Sequence, residues 1–158
     1  MVDSTETPRL SKPLLLLMAT AISATVSSLY YNQPLLPDIA ITFSLDDGLI
    51  GLIPSASQLG YAAAILFISP LGDTMARRNL IGYLSILMTL ASLGVFLAPN
   101  FTVLITASFA LGLGANITQQ LIPLGAALST PETRGKTMGT LMTGLTLGIL
   151  LSRVVSGS

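Results

Sequence analysis

The residues of this sequence with chemistry to offer are few and bunched. Asp73, Arg77 and Arg78 stand together in SPLGDTMARRN, Asn116, Gln119 and Gln120 fall within ANITQQL, Glu132 lies in STPETRG, and Arg153 is isolated in LLSRVV. None of these sets is a catalytic constellation. The chain contains no His and no Cys, which removes His- or Cys-based triads, thiolate nucleophiles, disulfides and the common zinc sites. No acid/base pair or metal cluster falls within one apolar run. Carboxamides and scattered charges bind, orient and pair; they do not cleave bonds. The expectation is a protein that is not an enzyme and carries no cofactor.

The elements that must position these groups are set by composition. Of the 158 residues, 51% are hydrophobic and 9% charged, and the mean hydropathy is +0.78. That balance belongs in a bilayer. The net charge is zero, and no basic cluster could neutralise a run of phosphates, so nucleic acid is not an expected partner. A hydrocarbon core of about 30 Å needs about 20 helical residues. Runs of that length are read at about Leu14 to Tyr31, Gly48 to Leu71, Asn79 to Ala98, Thr102 to Leu128, and Gly135 to the end. The fold class is therefore all-α integral membrane, with a segment over 1–13 and membrane-spanning helices over 14–158. PLLPDIAITFSLDD, GDTMARR, PN and STPETR read as the connections.

Orientation follows from Lys and Arg in the loops. Arg9 and Lys12 precede the first helix, Arg77 and Arg78 divide the second from the third, and Arg134 and Lys136 divide the fourth from the fifth. The opposite loops carry only Asp38, Asp46 and Asp47. The amino terminus and the SPLGDTMARRN loop are thus expected on the cytoplasmic side. A cleaved signal peptide is disfavoured, because Leu14 to Met18 is a short apolar core and the helix continues through Ser28 without a polar break.

Polar residues at helical spacing mark faces. Helix one carries Thr20, Ser23, Ser27 and Tyr30 or Tyr31. Helix two carries Pro54, Ser57, Gln58 and Tyr61, helix four carries Asn116, Gln119, Gln120 and Pro123, and helix five carries Gly139, Thr143, Thr146 and Arg153. Helix three has only Ser85, Thr89 and Ser92. Helices one, two, four and five are expected to surround a polar path, with Gln58, Asn116, Gln119, Gln120 and Arg153 as candidate lining residues. The competing account is helix packing for the hydroxyls and carboxamides, an interfacial aromatic belt for the tyrosines and snorkelling for Arg153.

With these residues in view, SPLGDTMARR resembles the G-x-x-x-D-R-x-G-R-R loop of the major facilitator superfamily, matching at Asp73, Arg77 and Arg78 and departing at Ser69, Thr74 and Ala76. YYNQPLLPDIA, QQLIPLGAAL and RGKTMGTLMTGLTLGILLSRVVSG extend the likeness to a bacterial efflux-type subgroup. The resemblance implies an incomplete amino-terminal six-helix half of a twelve-helix transporter of a small organic solute. The missing carboxy-terminal half, or another membrane chain, would be its partner beside the lipid bilayer. It also implies that Asp73, Arg77 and Arg78 form a gating loop whose Asp caps a helix of the other half, with Glu132 as the nearby acid for Arg77 or Arg78. The Arg of proton-coupled members is replaced by Ser108. In helix five the antiporter Pro is replaced by Ile149 and the Gly pair by Ser152 and Arg153. A non-transporting membrane interaction or assembly protein is the alternative. Coding sequence beyond Ser158 separates a fragment from a complete small protein.

Overall fold

Helix α1, Lys12–Tyr30, begins where Ser11 accepts the Leu14 N–H on its Oγ (3.4 Å) and Pro13 occupies a first-turn position that needs no donor. The computed structural model describes residues 10–31 and 33–156; residues 1–9, Arg9 among them, and Asn32, Gly157 and Ser158 lie outside the described residues. Among the described residues all regular structure is helical, as a chain in lipid requires when no closed barrel is available. Five helical stretches are long and apolar enough to cross a membrane: Lys12–Tyr30, Gly48–Thr74, Arg77–Phe96, Phe101–Ala127 and Arg134–Val154. Each lies within a few residues of the run read from the sequence.

The segment between the first two spans differs from the simple connection expected there. It holds α2, Leu36–Phe43, and leads into α3, Asp47–Ile50, with which the second span opens. Leu36, Ile39, Ala40 and Phe43 recur at helical spacing and are half-buried, while Asp38, Ile41 and Thr42 are exposed. Pro37 enters the first turn, where Asp38 also faces the positive helix terminus. Ser44 ends α2 in the left-handed conformation at φ 51°, its N–H returning to Ala40 and Ile41.

Two spans are internally irregular. The second continues from α3 as α4, Leu52–Ala63, then a π-helical turn over Ala64–Ile68, then α5, Leu71–Thr74. The third is α6, Arg77–Phe96. The fourth is expected as one helix, but the structure divides it into α7, Phe101–Gly114, and α8, Ile117–Ala127, separated by Ala115 and Asn116. Asn100 opens α7 by accepting the Val103 N–H (2.9 Å). The fifth span is α9, Arg134–Ser156.

The fourth span is central: half of its apolar window is buried, against 22–28% for the others. Two helix pairs are built on the same device. α4 lies along α7 and α1 along α9. A Cβ on Gly60 would strike the Phe109 carbonyl and one on Gly112 the Ser57 carbonyl, while Gly144 and Gly148 bear likewise on the carbonyls of Ala19 and Ser23. Lipid gives helices little apolar reason to associate, so glycines that let backbones approach supply the packing. α6 rests on α7, and α8 touches α1, α6 and α9. Met18, Ile22, Leu84, Met88, Leu111, Leu121 and Leu141 form the apolar centre.

Candidate functional site

A cavity of about 120 Å³ opens between α1, α4, the start of α8, and α9. Thr25, Tyr30, Gln58, Tyr61, Thr118 and Gln119 supply its polar atoms, and Val26, Leu29, Ala115, Leu145 and Ile149 complete the wall. α6 contributes none of these, in keeping with the polarity difference between helix three and the rest. Gln119 donates from Nε2 to the Tyr61 hydroxyl (2.6 Å), tying α8 to α4 across the wall. Thr118 is 4% exposed, and its Oγ1 has no protein hydrogen-bond partner. A buried hydroxyl without a partner is costly, and Thr118 carries one beside this cavity. Ser108 Oγ is the other such atom among the described residues, and it occupies the position where proton-coupled members carry Arg.

The candidate lining residues divide. Gln58 and Gln119 are on the cavity wall and exposed. Asn116 and Gln120 are buried, at 0% and 3% exposure, and neither contributes to the wall. Gln120 Nε2 donates to Asn116 Oδ1 (3.2 Å), and Asn116 Nδ2 donates to the Ser69 hydroxyl (3.1 Å), which in turn donates to Asn116 Oδ1 (3.3 Å). The reason is helical geometry: positions 116 and 120 share the face turned to α5, while 119 is rotated away from it. Arg153 is exposed in the last turn of α9, where a cation complements the helix terminus, and is not part of the wall. The stripe expected on α1 is split, with only Tyr30 of it on the cavity wall. Thr20 and Ser23 line a separate groove with Thr143 of α9, and it is Thr25 and Tyr30 that reach the cavity.

The charged loop is held locally. Arg77 Nη2 pairs with Asp73 Oδ1 at 3.4 Å, so Arg77 finds its acid four residues back rather than at Glu132. Arg78 points instead to a larger groove of about 800 Å³ shared by α1, α6 and α8. Glu132 is fully exposed, and bonds from its own backbone N–H and then from the Thr130 side chain hold its carboxyl below the usual range. It shares the wall of a further cavity with Lys12, Thr133 and Lys136. Sequence reasoning missed Thr118, Thr25 and Ser69 as site residues. Thr118 lies inside the same carboxamide run, but a single Thr in an apolar helix is indistinguishable from one that bonds its own backbone, as Thr20, Thr89 and Thr106 do here.

Comparison with known proteins agrees with this arrangement. The family model described as Major Facilitator Superfamily matches residues 16–158. The Escherichia coli O157:H7 protein named "Uncharacterized transporter YgaY" is 45% identical over 148 residues, 94% of this chain and 38% of that protein. "Probable transporter SCO4007" of Streptomyces coelicolor is 32% identical over 141 residues, 89% of this chain and 33% of its own length. "Major myo-inositol transporter IolT" of Bacillus subtilis is 31% identical over 87 residues, 54% of this chain and 18% of that protein. This chain thus spans well under half the length of the curated relatives it matches, and no solved structure matches it. A helical membrane bundle with a charged loop between its second and third spans, matched over nearly its whole length, identifies this integral membrane chain as a member of the major facilitator superfamily.

Proposed function

We propose that this chain forms the amino-terminal part of a secondary transporter, carrying a small organic solute without covalent chemistry, and that the cavity between α1, α4, α8 and α9 is its share of the path. The unpartnered Thr118 hydroxyl on a wall otherwise made of Thr25, Tyr30, Gln58, Tyr61 and Gln119 supports this reading. These groups donate and accept hydrogen bonds and carry no formal charge, so the part of the solute met by this wall is uncharged and polar. Two halves rocking about a midplane site is how such folds alternate access. The other half, or another membrane chain, is the partner required.

Asp73, Arg77 and Arg78 act as the gate on the cytoplasmic side of a bacterial inner membrane, and transport runs outward. The loop charges and the efflux-type runs YYNQPLLPDIA and RGKTMGTLMTGLTLGILLSRVVSG support these assignments. The test is solute flux in vesicles containing the full-length transporter. Thr118→Val, which keeps volume and removes the hydroxyl, is expected to weaken apparent affinity by roughly five- to tenfold. Unchanged flux and affinity would sever the cavity from transport.

A non-transporting assembly protein is the second reading, favoured by the wide apolar groove between α1, α6 and α8, walled by Leu14, Met18, Met88 and Leu121. Co-purification of a fixed partner with no flux would favour it.

A further inference from the structure

We infer that Ser69, Asn116 and Gln120 form a polar clip that positions the Asp73 loop, compensating for the serine that stands where the superfamily loop has glycine. The inference rests on the gating role proposed above.

The clip joins two irregularities. The second span leaves α-helical geometry over Ala64–Ile68, and the turn closes with the Ser69 N–H on the Ala64 carbonyl (2.9 Å). The fourth span breaks at Ala115 and Asn116. A π-turn and a helix break are each places where a helix bends, and here they lie side by side with Ser69 bonded to Asn116. Neither irregular segment can swing without breaking that bond.

Gln120 extends the clip to the loop itself. Its Nε2 is fixed on Asn116 Oδ1, and its Oε1 occupies the space a Cβ on Gly72 would need. Gly72 is buried against it, and the next residue is Asp73. The seat of Gly72 therefore sets where the Asp73 carboxylate stands. Within the same turn of α8, Gln119 holds Tyr61 on the cavity side, so α8 grips the second span at a further point. An apolar pair would fill the same space without orienting anything. Carboxamides bury polar groups that must be bonded in one geometry, and that requirement fixes the direction in which the loop leaves the membrane.

The experiment uses the whole 158-residue chain in lipid nanodiscs, where both faces meet reagent. The chain has no native Cys, so Met75→Cys, at a residue 42% exposed beside the loop, reports loop freedom through its rate of maleimide modification. Pro131→Cys, in the loop before α9, reports general loosening. Ser69→Ala, Asn116→Leu and Gln120→Leu are each expected to speed modification at position 75 by roughly three- to tenfold, with position 131 unchanged. Ser69→Thr, which retains the hydroxyl, should keep the parent rate. The double variant Ser69→Ala with Asn116→Leu should not exceed Asn116→Leu alone, because Asn116→Leu already removes the bond to Ser69. No change with Ser69→Ala, or equal acceleration at both reporters, would overturn the clip. Should Asn116→Leu fail to insert, the near-isosteric Ser69→Ala decides alone. The gating role stands or falls separately, on whether Asp73→Asn, which leaves the clip intact, lowers flux through the full-length transporter.

Discussion

Asp73 and Arg77 hold one another across a helix boundary: Arg77 Nη2 lies 3.4 Å from Asp73 Oδ1, one residue in the short α5 and the other at the start of α6. Met75 between them is extended, so the ion pair staples the turn of the charged loop. Asp73 is 78% exposed and Arg77 31%, and a pair this open contributes about 0.2–0.5 kcal/mol. It is weak enough for the Asp73 carboxylate to leave Arg77 for another partner at little cost.

Asp73→Asn is therefore expected to change the unfolding free energy of the chain by less than about 0.5 kcal/mol while lowering flux through the full-length transporter by at least about fivefold. Reversing the pair as Asp73→Arg with Arg77→Glu should restore the local ion pair but not the flux, because no carboxylate then stands at position 73. Combining Arg77→Glu with Glu132→Arg should recover nothing, because Glu132 is engaged by its own loop. Recovery in the second combination would reinstate Glu132 as the partner of Arg77.

Single cysteines in the cysteine-free chain should sort the carboxamides by exposure. Cys at Gln58 or Gln119 is expected to react with a water-soluble thiol reagent at least about tenfold faster than Cys at Asn116 or Gln120, which are buried in the clip. Equal rates at all four positions would remove the distinction between wall and clip.

Gly112→Ala should separate α4 from α7. The added methyl group meets the Ser57 carbonyl and the Tyr61 N–H, both backbone and unable to yield locally, so a loss of about 1–3 kcal/mol is expected. Gly82→Ala, where a Cβ meets nothing, is the control and should be neutral or slightly stabilising in a helix. Unfolding in mixed micelles measures both, and a neutral Gly112→Ala would refute backbone contact at that crossing.

Glu132 should titrate below its ordinary value of 4.5 because its own N–H and then Thr130 stabilise the carboxylate. A lowered folded value means that this contribution is present at neutral pH, above the unfolded value, and is lost as pH falls through the folded value, in the acid range below the ordinary one. Thr130→Ala retains the backbone bond, so it should raise the value part of the way back. Carbon-13 titration of labelled glutamate reads both, and no movement would remove Thr130 from the cause.

Membrane residence, the number and approximate ends of the spans and the identity of the charged loop were legible in the sequence, for reasons that act along the chain. Burying about 20 residues in hydrocarbon forces long uninterrupted apolar runs, and loops must carry whatever charge remains. SPLGDTMARRN stands out because nothing near it is charged. Period also named helices one, two, four and five, the ones that wall the small cavity, whereas α6 lines the larger groove instead.

Which polar residue faces which neighbour was decided only by tertiary structure. Asn116 and Gln120 are one turn apart and meet Ser69, while Gln119 between them turns to Tyr61. Helical geometry separates 119 from 116 and 120, but which of these faces meets the second span depends on how α8 leaves the break at Ala115 and Asn116, where Gly112, Gly114 and Asn116 mark only that a break is allowed. Arg77 had two acids within plausible reach, and the fold chose Asp73 through the extended Met75, a backbone angle that composition does not encode. Sequence periodicity assigns residues to faces of an ideal helix. The contacts here depend on where two helices depart from the ideal, and those departures are set by neighbours far along the chain: Gly60 against Phe109, Gly112 against Ser57, and Gly72 against Gln120.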